Sequence, residues 1–170
     1  MTDLLTHVLA AYVLARVASW RLDWLADRHV ALAMLGATIP DAAKVYLLLG
    51  GIRHTVAGVE VSLLALQTIG AALVFVAIAG LQVPPRERRP AMVALTAGVV
   101  LHIALDYLVV RTGGRSPPYL YPLTWAQLPT GNFYLSADVW PSLVALVVAG
   151  SVWLLDRRKR AGQGWTRTGR

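Results

Sequence analysis

The sequence predicts an all-α protein, a polytopic transmembrane helical bundle of about five helical segments, one of them broken near Pro40. Three observations carry that prediction. First, 56% of the 170 residues are hydrophobic and only 15% are charged. Second, the apolar residues fall in long blocks rather than amphipathic stripes, as they do where even the outer faces of helices are apolar. Third, the basic residues gather beside those blocks.

The first segment, Leu4–Ser19, is rich in Ala and Leu. The residues before it lack the basic stretch of a secretory signal, so they read as retained. A polar connector through Arg28 leads to a second segment over residues 29–49. Proline removes a backbone donor and clashes with the preceding turn, so Pro40 should break this segment. Inside a membrane, a broken helix is tolerated only where it lines protein or a polar cavity. The third segment is expected over 56–81 and the fourth over 91–110, long enough to cross a bilayer. The fifth is expected over 139–155. Residues 1–156 thus form one transmembrane domain, followed by a basic tail, 157–170. Residues 112–138 carry Tyr119, Tyr121, Trp125, Phe133 and Tyr134 among several prolines. This stretch is too long and too aromatic for a plain linker, and it reads as an interfacial cap.

The formal charge of +7 is nearly all arginine. Arg86, Arg88 and Arg89 sit in the loop 83–90, and Arg157, Arg158, Lys159 and Arg160 follow the last apolar block. Positive charge marks the cytoplasmic side, so both clusters are expected there, in contact with membrane lipids. Nucleic acid is not the partner this charge implies. The chain shows no inverted repeat of the transporter kind, although a homo-oligomer would supply one.

The residues with chemistry lie inside the apolar blocks. His102 and Asp106 are one helical turn apart on one face. A carboxylate at mid-helix costs roughly 2.5–3.5 kcal/mol on insertion scales, so such a pair should face a cavity, a partner or an ion. The arginine-based topology puts His7, Asp41, His54, His102 and Asp106 in the outer half of the membrane, and His29 on the opposite side. Without cysteine, a metal must take nitrogen and oxygen ligands. Three imidazoles and two carboxylates suit a divalent metal, zinc first, with manganese or iron as alternatives. A carboxylate left unligated, Asp41 or Asp106, would serve as base. Each residue also has a plainer reading. His102 with Asp106 reads as an interhelical hydrogen-bonding pair. Asp41 reads as a cap after Pro40 or as the partner of Lys44 at i+3. His7 reads as an interfacial residue and His54 as a loop histidine.

Together, Thr6-His7, Gly36-x-x-x-Pro40-Asp41, His54-Thr55, His102-x-x-x-Asp106, Gly113-Gly114 and Tyr121-Pro122 resemble the prokaryotic membrane-bound metal-dependent hydrolases. The resemblance spans residues 4–142 and implies metal-binding roles for His7, Asp41, His54, His102 and Asp106. It departs at Ala43, where the family often has a second acid, and this favours a single metal. The Thr-His start and the His-x-x-x-Asp helix are also similar to pieces of zinc-dependent phospholipase C. That likeness implies a phosphoester or lipid substrate, and the expected activity is metal-dependent hydrolysis of an ester or phosphoester of a lipid or lipid-linked molecule near the outer leaflet.

Overall fold

A computed structural model describes residues 2–45, 49, 53–111 and 113–167. Three pieces of the expected segments lie outside the described residues: 46–48 of the second, Thr112 at the start of the cap and the last three residues of the tail. The described chain is mostly helical. It has α1 (Thr2–Ser19), α2 (Asp27–Gly36), α3 (Ile69–Leu81), α4 (Pro85–Tyr107) and α5 (Trp140–Arg167). Two 3₁₀ segments, Ile39–Val45 and Leu63–Gln67, and a hairpin of β1 (Arg53–Val56) and β2 (Val59–Ser62) lie between α2 and α3.

The hairpin corrects the expected start of the third segment. Thr55, Val56, Val59 and Val61 are β-branched, and the intervening Ala57 and Gly58 both have positive φ, +49° and +80°. Positive φ at both central residues is what a two-residue hairpin turn with matching twist requires. His54 pairs with Val61 in the ladder. α-Helix begins only at Ile69, after the 3₁₀ segment, where the Thr68 hydroxyl accepts the Ala71 N–H at 3.3 Å and caps it. The chain does break at Pro40, and a 3₁₀ segment replaces the continuation of α2. At the other end, α5 runs through the basic tail to Arg167. The tail is helical in part because Arg160 reaches Asp156 one turn back (2.9 Å) and also clasps Asp27 (2.6 Å).

Two helices, Pro85–Tyr107 and Trp140–Ala161, are long and apolar enough to cross a membrane. A buried core helix of a soluble protein would pass the same test. For the second helix that explanation fails, because only 17% of its most apolar window is buried. Leu143, Leu146, Val147 and Leu154 all stand exposed along it.

The core lies between α2, α3 and α4, around Ala72, Val76, Leu95 and Val99. Helices α2 and α4 touch backbone to backbone at two glycines. A Cβ on Gly36 would overlap the Leu95 carbonyl, and one on Gly98 would overlap the Ala33 carbonyl. Small residues permit such close approach of helices. Helix α5 runs parallel to α1, tied at one end by a Thr6–Ser142 hydrogen bond (2.9 Å) and at the other by Trp20 Nε1 donating to Asp156 (3.0 Å).

The two ends of the bundle differ in chemistry. One holds the basic clusters and a lattice of ion pairs, with Arg16 on Asp27 (2.6 Å), Arg160 on Asp27 and Arg28 on Glu87 (3.0 Å). Hydrogen bonds from Arg160 and then Arg16 hold the Asp27 carboxyl below the usual carboxylate range. His29 is buried at this end, near Glu87. The opposite end is covered by the cap. Its backbone is stitched to the C-terminus of α4 by Gly131 N–H on Tyr107 O (2.8 Å), Phe133 N–H on Leu108 O (2.8 Å) and Val110 N–H on Tyr134 O (2.7 Å). It is tied to α3 by Ile69 N–H on Tyr119 O (2.8 Å).

Candidate metal centre

Under the cap, the N-terminal turns of α1, the chain leaving α2 and the C-terminal turns of α4 converge. His7 comes from α1, Asp41 from the 3₁₀ segment after Pro40, and His102 and Asp106 from α4. His7, His102 and Asp106 are all buried, and each offers one ligand atom such that the three lie within 4.8 Å of one another. The two imidazoles stack with centroids 4.1 Å apart. His7 Nε2 stands 3.3 Å from Asp106 Oδ1. His102 Nε2 stands 3.8 Å from Asp106 Oδ2 and 3.6 Å from Asp41 Oδ1. Asp41 also pairs with Lys44 through Oδ1 at 2.7 Å. The spacing His102-x-x-x-Asp106 therefore puts both groups into one pocket, as residues four apart on a helix must.

One hydrogen bond fixes the chemistry of His102. Its Nδ1 lies 2.6 Å from the Ala37 carbonyl oxygen. A carbonyl only accepts, so Nδ1 carries the proton and donates, and Nε2 of the neutral ring is a bare lone pair. That lone pair is buried without a hydrogen-bond partner and faces carboxylate oxygens of Asp41 and Asp106. Two acceptors that face each other with no donor between them, as His102 Nε2 and Asp41 Oδ1 do, are costly in a buried site, and a cation between them removes the cost. The Pro40 break contributes directly, because ending α2 at Gly36 exposes the Ala37 carbonyl to His102.

Asp106 is held from behind. Its Oδ2 accepts from Arg111 (2.9 Å) and from the Tyr119 hydroxyl (3.0 Å), which in turn accepts from Arg111 at 2.8 Å. Burial, then the charge of Asp106, push the Tyr119 phenol above its ordinary value, so it stays a donor. Outer groups that orient a ligating carboxylate commonly change metal affinity 10–100-fold when removed. Tyr119→Phe should therefore weaken metal binding by roughly that factor, read by competition with a chromogenic chelator; an unchanged dissociation constant would remove Tyr119 from the site.

His54 lies on β1, outside the group of three. His29 is at the far end of the bundle, as its position in the sequence implied. Arg111 and Tyr119 were missed by sequence reasoning. The available signal was a cation five residues after Asp106, followed by a Pro-Pro-Tyr turn. Comparison of the chain with protein-family models, with curated proteins and with solved structures gives no match. Arranged as His, His and carboxylate, these three described residues could hold a metal ion.

Proposed function

We propose that this protein is a polytopic membrane hydrolase with a metal centre near the outer leaflet, acting on an ester or phosphoester of a lipid or lipid-linked molecule. The observation that carries the reading is the bare Nε2 of His102 set among carboxylates, with His7 stacked beside it. The apolar, largely unburied surface of α5 supports a lipid environment. Arginine at the opposite end of the bundle supports a cytoplasmic location for residues 83–90 and the C-terminus. An apolar groove of about 390 Å³ runs beside the site between α1, α4 and α5. Thr6 and Leu105, the neighbours of His7 and Asp106, line it together with Phe133 and Trp140, and it suits an acyl chain of the substrate. The resemblance to membrane-bound metal-dependent hydrolases points the same way.

His7, His102 and Asp106 would hold the ion, most naturally zinc, with manganese or iron as alternatives. Bound there, such an ion would supply Lewis acidity for ester hydrolysis. Asp41, beside His102 and backed by Lys44, takes a proton from the attacking water. The new oxygen–acyl or oxygen–phosphorus bond forms as the bond to the alcohol breaks, and Asp41 returns the proton to the departing alkoxide. Tyr119 and Arg111 keep Asp106 in place throughout.

The test is ester hydrolysis by the purified protein in detergent. Chelation should abolish it and zinc should restore it. Asp41→Asn should lower kcat by roughly 10²–10⁴-fold while bound metal persists, the usual range for loss of a general base. Full activity in Asp41→Asn, or activity indifferent to chelator, would end the proposal. A second reading has the same cluster as an ion- or proton-binding core with no reaction, since a proton would also relieve the facing acceptors. It expects no turnover and tolerance of His102→Asn.

A further inference from the structure

Resting on the hydrolase reading, we infer that the substrate group entering this site is a phosphoester anion rather than a neutral carboxylic ester, and that Arg111 and Lys44 receive it. Both cations border the cluster of imidazoles and carboxylates, each on a different carboxylate. Lys44 Nζ touches Asp41, and Arg111 touches Asp106. In a loaded site Asp41 and Asp106 balance a divalent ion. Among the described residues, Lys44 and Arg111 then remain as positive charge without a further carboxylate partner. Uncompensated charge at a partly buried site is unfavourable, and an anionic substrate removes it.

The individual groups agree with this accounting. Arg111 spends its NH2 group on Asp106 and on the Tyr119 hydroxyl, while its Nε–H is buried without a hydrogen-bond partner. A guanidinium with a donor unused beside a metal cluster is suited to a phosphate oxygen, whose geometry matches its planar fork. Lys44 keeps 40% of its side chain exposed while Asp41 keeps 9%, so the ammonium is the more accessible group of the pair. A carboxylic ester would offer these two cations only a weakly charged carbonyl oxygen. Phosphate chemistry comes either from a lipid headgroup or from a water-soluble phosphoester, and the structure fits the shared group.

Calorimetric titration of the zinc-loaded full chain in detergent with inorganic phosphate tests the inference, alongside cleavage of dioctanoyl phosphatidic acid, p-nitrophenyl phosphate and p-nitrophenyl butyrate. Wild-type protein should bind phosphate and cleave a phosphoester in preference to the butyrate. Arg111→Met and Lys44→Met should each weaken phosphate binding by roughly tenfold or more, the effect expected for one charge-assisted hydrogen bond. Arg111→Lys should recover part of that loss, and metal content at saturating zinc should stay constant. Preference for phosphatidic acid identifies the lipid source, and preference for the nitrophenyl phosphate the soluble one; either supports the inference. Phosphate affinity unchanged in both methionine variants, or metal-replete protein that ignores phosphate and cleaves the butyrate, overturns it. If wild-type protein retains no metal, the hydrolase reading falls. Arginine-dependent phosphate binding by that metal-free protein would still uphold the anion site, and its absence would remove that too.

Discussion

Replacing His102 with alanine is expected to leave the purified protein without stoichiometric metal, and replacing Asp106 to do the same. Each change removes one of the three donors that lie within 4.8 Å of one another. A donor pair that remains cannot fill the coordination sphere of zinc. The loss should also appear as stability. A ligand present at a thousand times its dissociation constant stabilises the native state by about 4 kcal/mol. For a chain of this size that corresponds to on the order of 10 °C in Tm. Wild-type protein should therefore melt lower when chelator is added, whereas His102→Ala should melt at one temperature with or without it. Equal metal in the wild type and both variants, measured by elemental analysis, would show that these side chains bind no ion.

The second large effect is expected at Gly98, which bears no functional group. A Cβ there would overlap the Ala33 carbonyl, and backbone has little freedom to yield. Over-packing typically costs about 1–3 kcal/mol, occasionally more, and a backbone clash belongs at the upper end. Gly98→Ala should force α2 away from α4. The Ala37 carbonyl would move off His102 Nδ1, and Asp41 would move with the 3₁₀ segment that follows. Metal affinity should drop along with Tm. Gly150 provides the control, because nothing lies within 4 Å of a Cβ built there. Gly150→Ala should be neutral or stabilising by up to about 1 kcal/mol, since alanine is the better helix former. If the two alanine variants melt together in detergent, the close contact of α2 and α4 does not hold the fold.

Much of the helical content was legible because membrane-grade apolar runs leave few other options. The segment 91–110 lies largely within α4, and Leu4–Ser19 within α1. Pro40 announced its break through an absent N–H. The hairpin over Arg53–Ser62 was hidden because its Val-rich alternation merges into the apolar run behind it, leaving Ala57-Gly58 as the sole local signal. The ends of α4 and α5 were set too short at their charged termini, where ion pairs with distant residues such as Asp27 extend the helix.

The site divides along the same line. Periodicity alone places His102 and Asp106 on one face of a helix, because 3.6 residues per turn is a property of the backbone. The arginine clusters assign His7 and Asp41 to the same end of the bundle. Whether side chains at one end meet depends on how helices rotate and how closely they approach, and local sequence does not encode either. Contact at Gly36 and Gly98 sets that rotation and brings the Ala37 carbonyl to His102, which fixes its tautomer. The folded cap brings Tyr119 to Asp106 and Arg111, an arrangement that depends on the path of a loop. The sequence by itself determined which ionisable groups lie within apolar helices and at which end. Tertiary structure alone decided that His7, His102 and Asp106 converge while His54 stays on a strand, because convergence depends on packing between segments far apart in the chain.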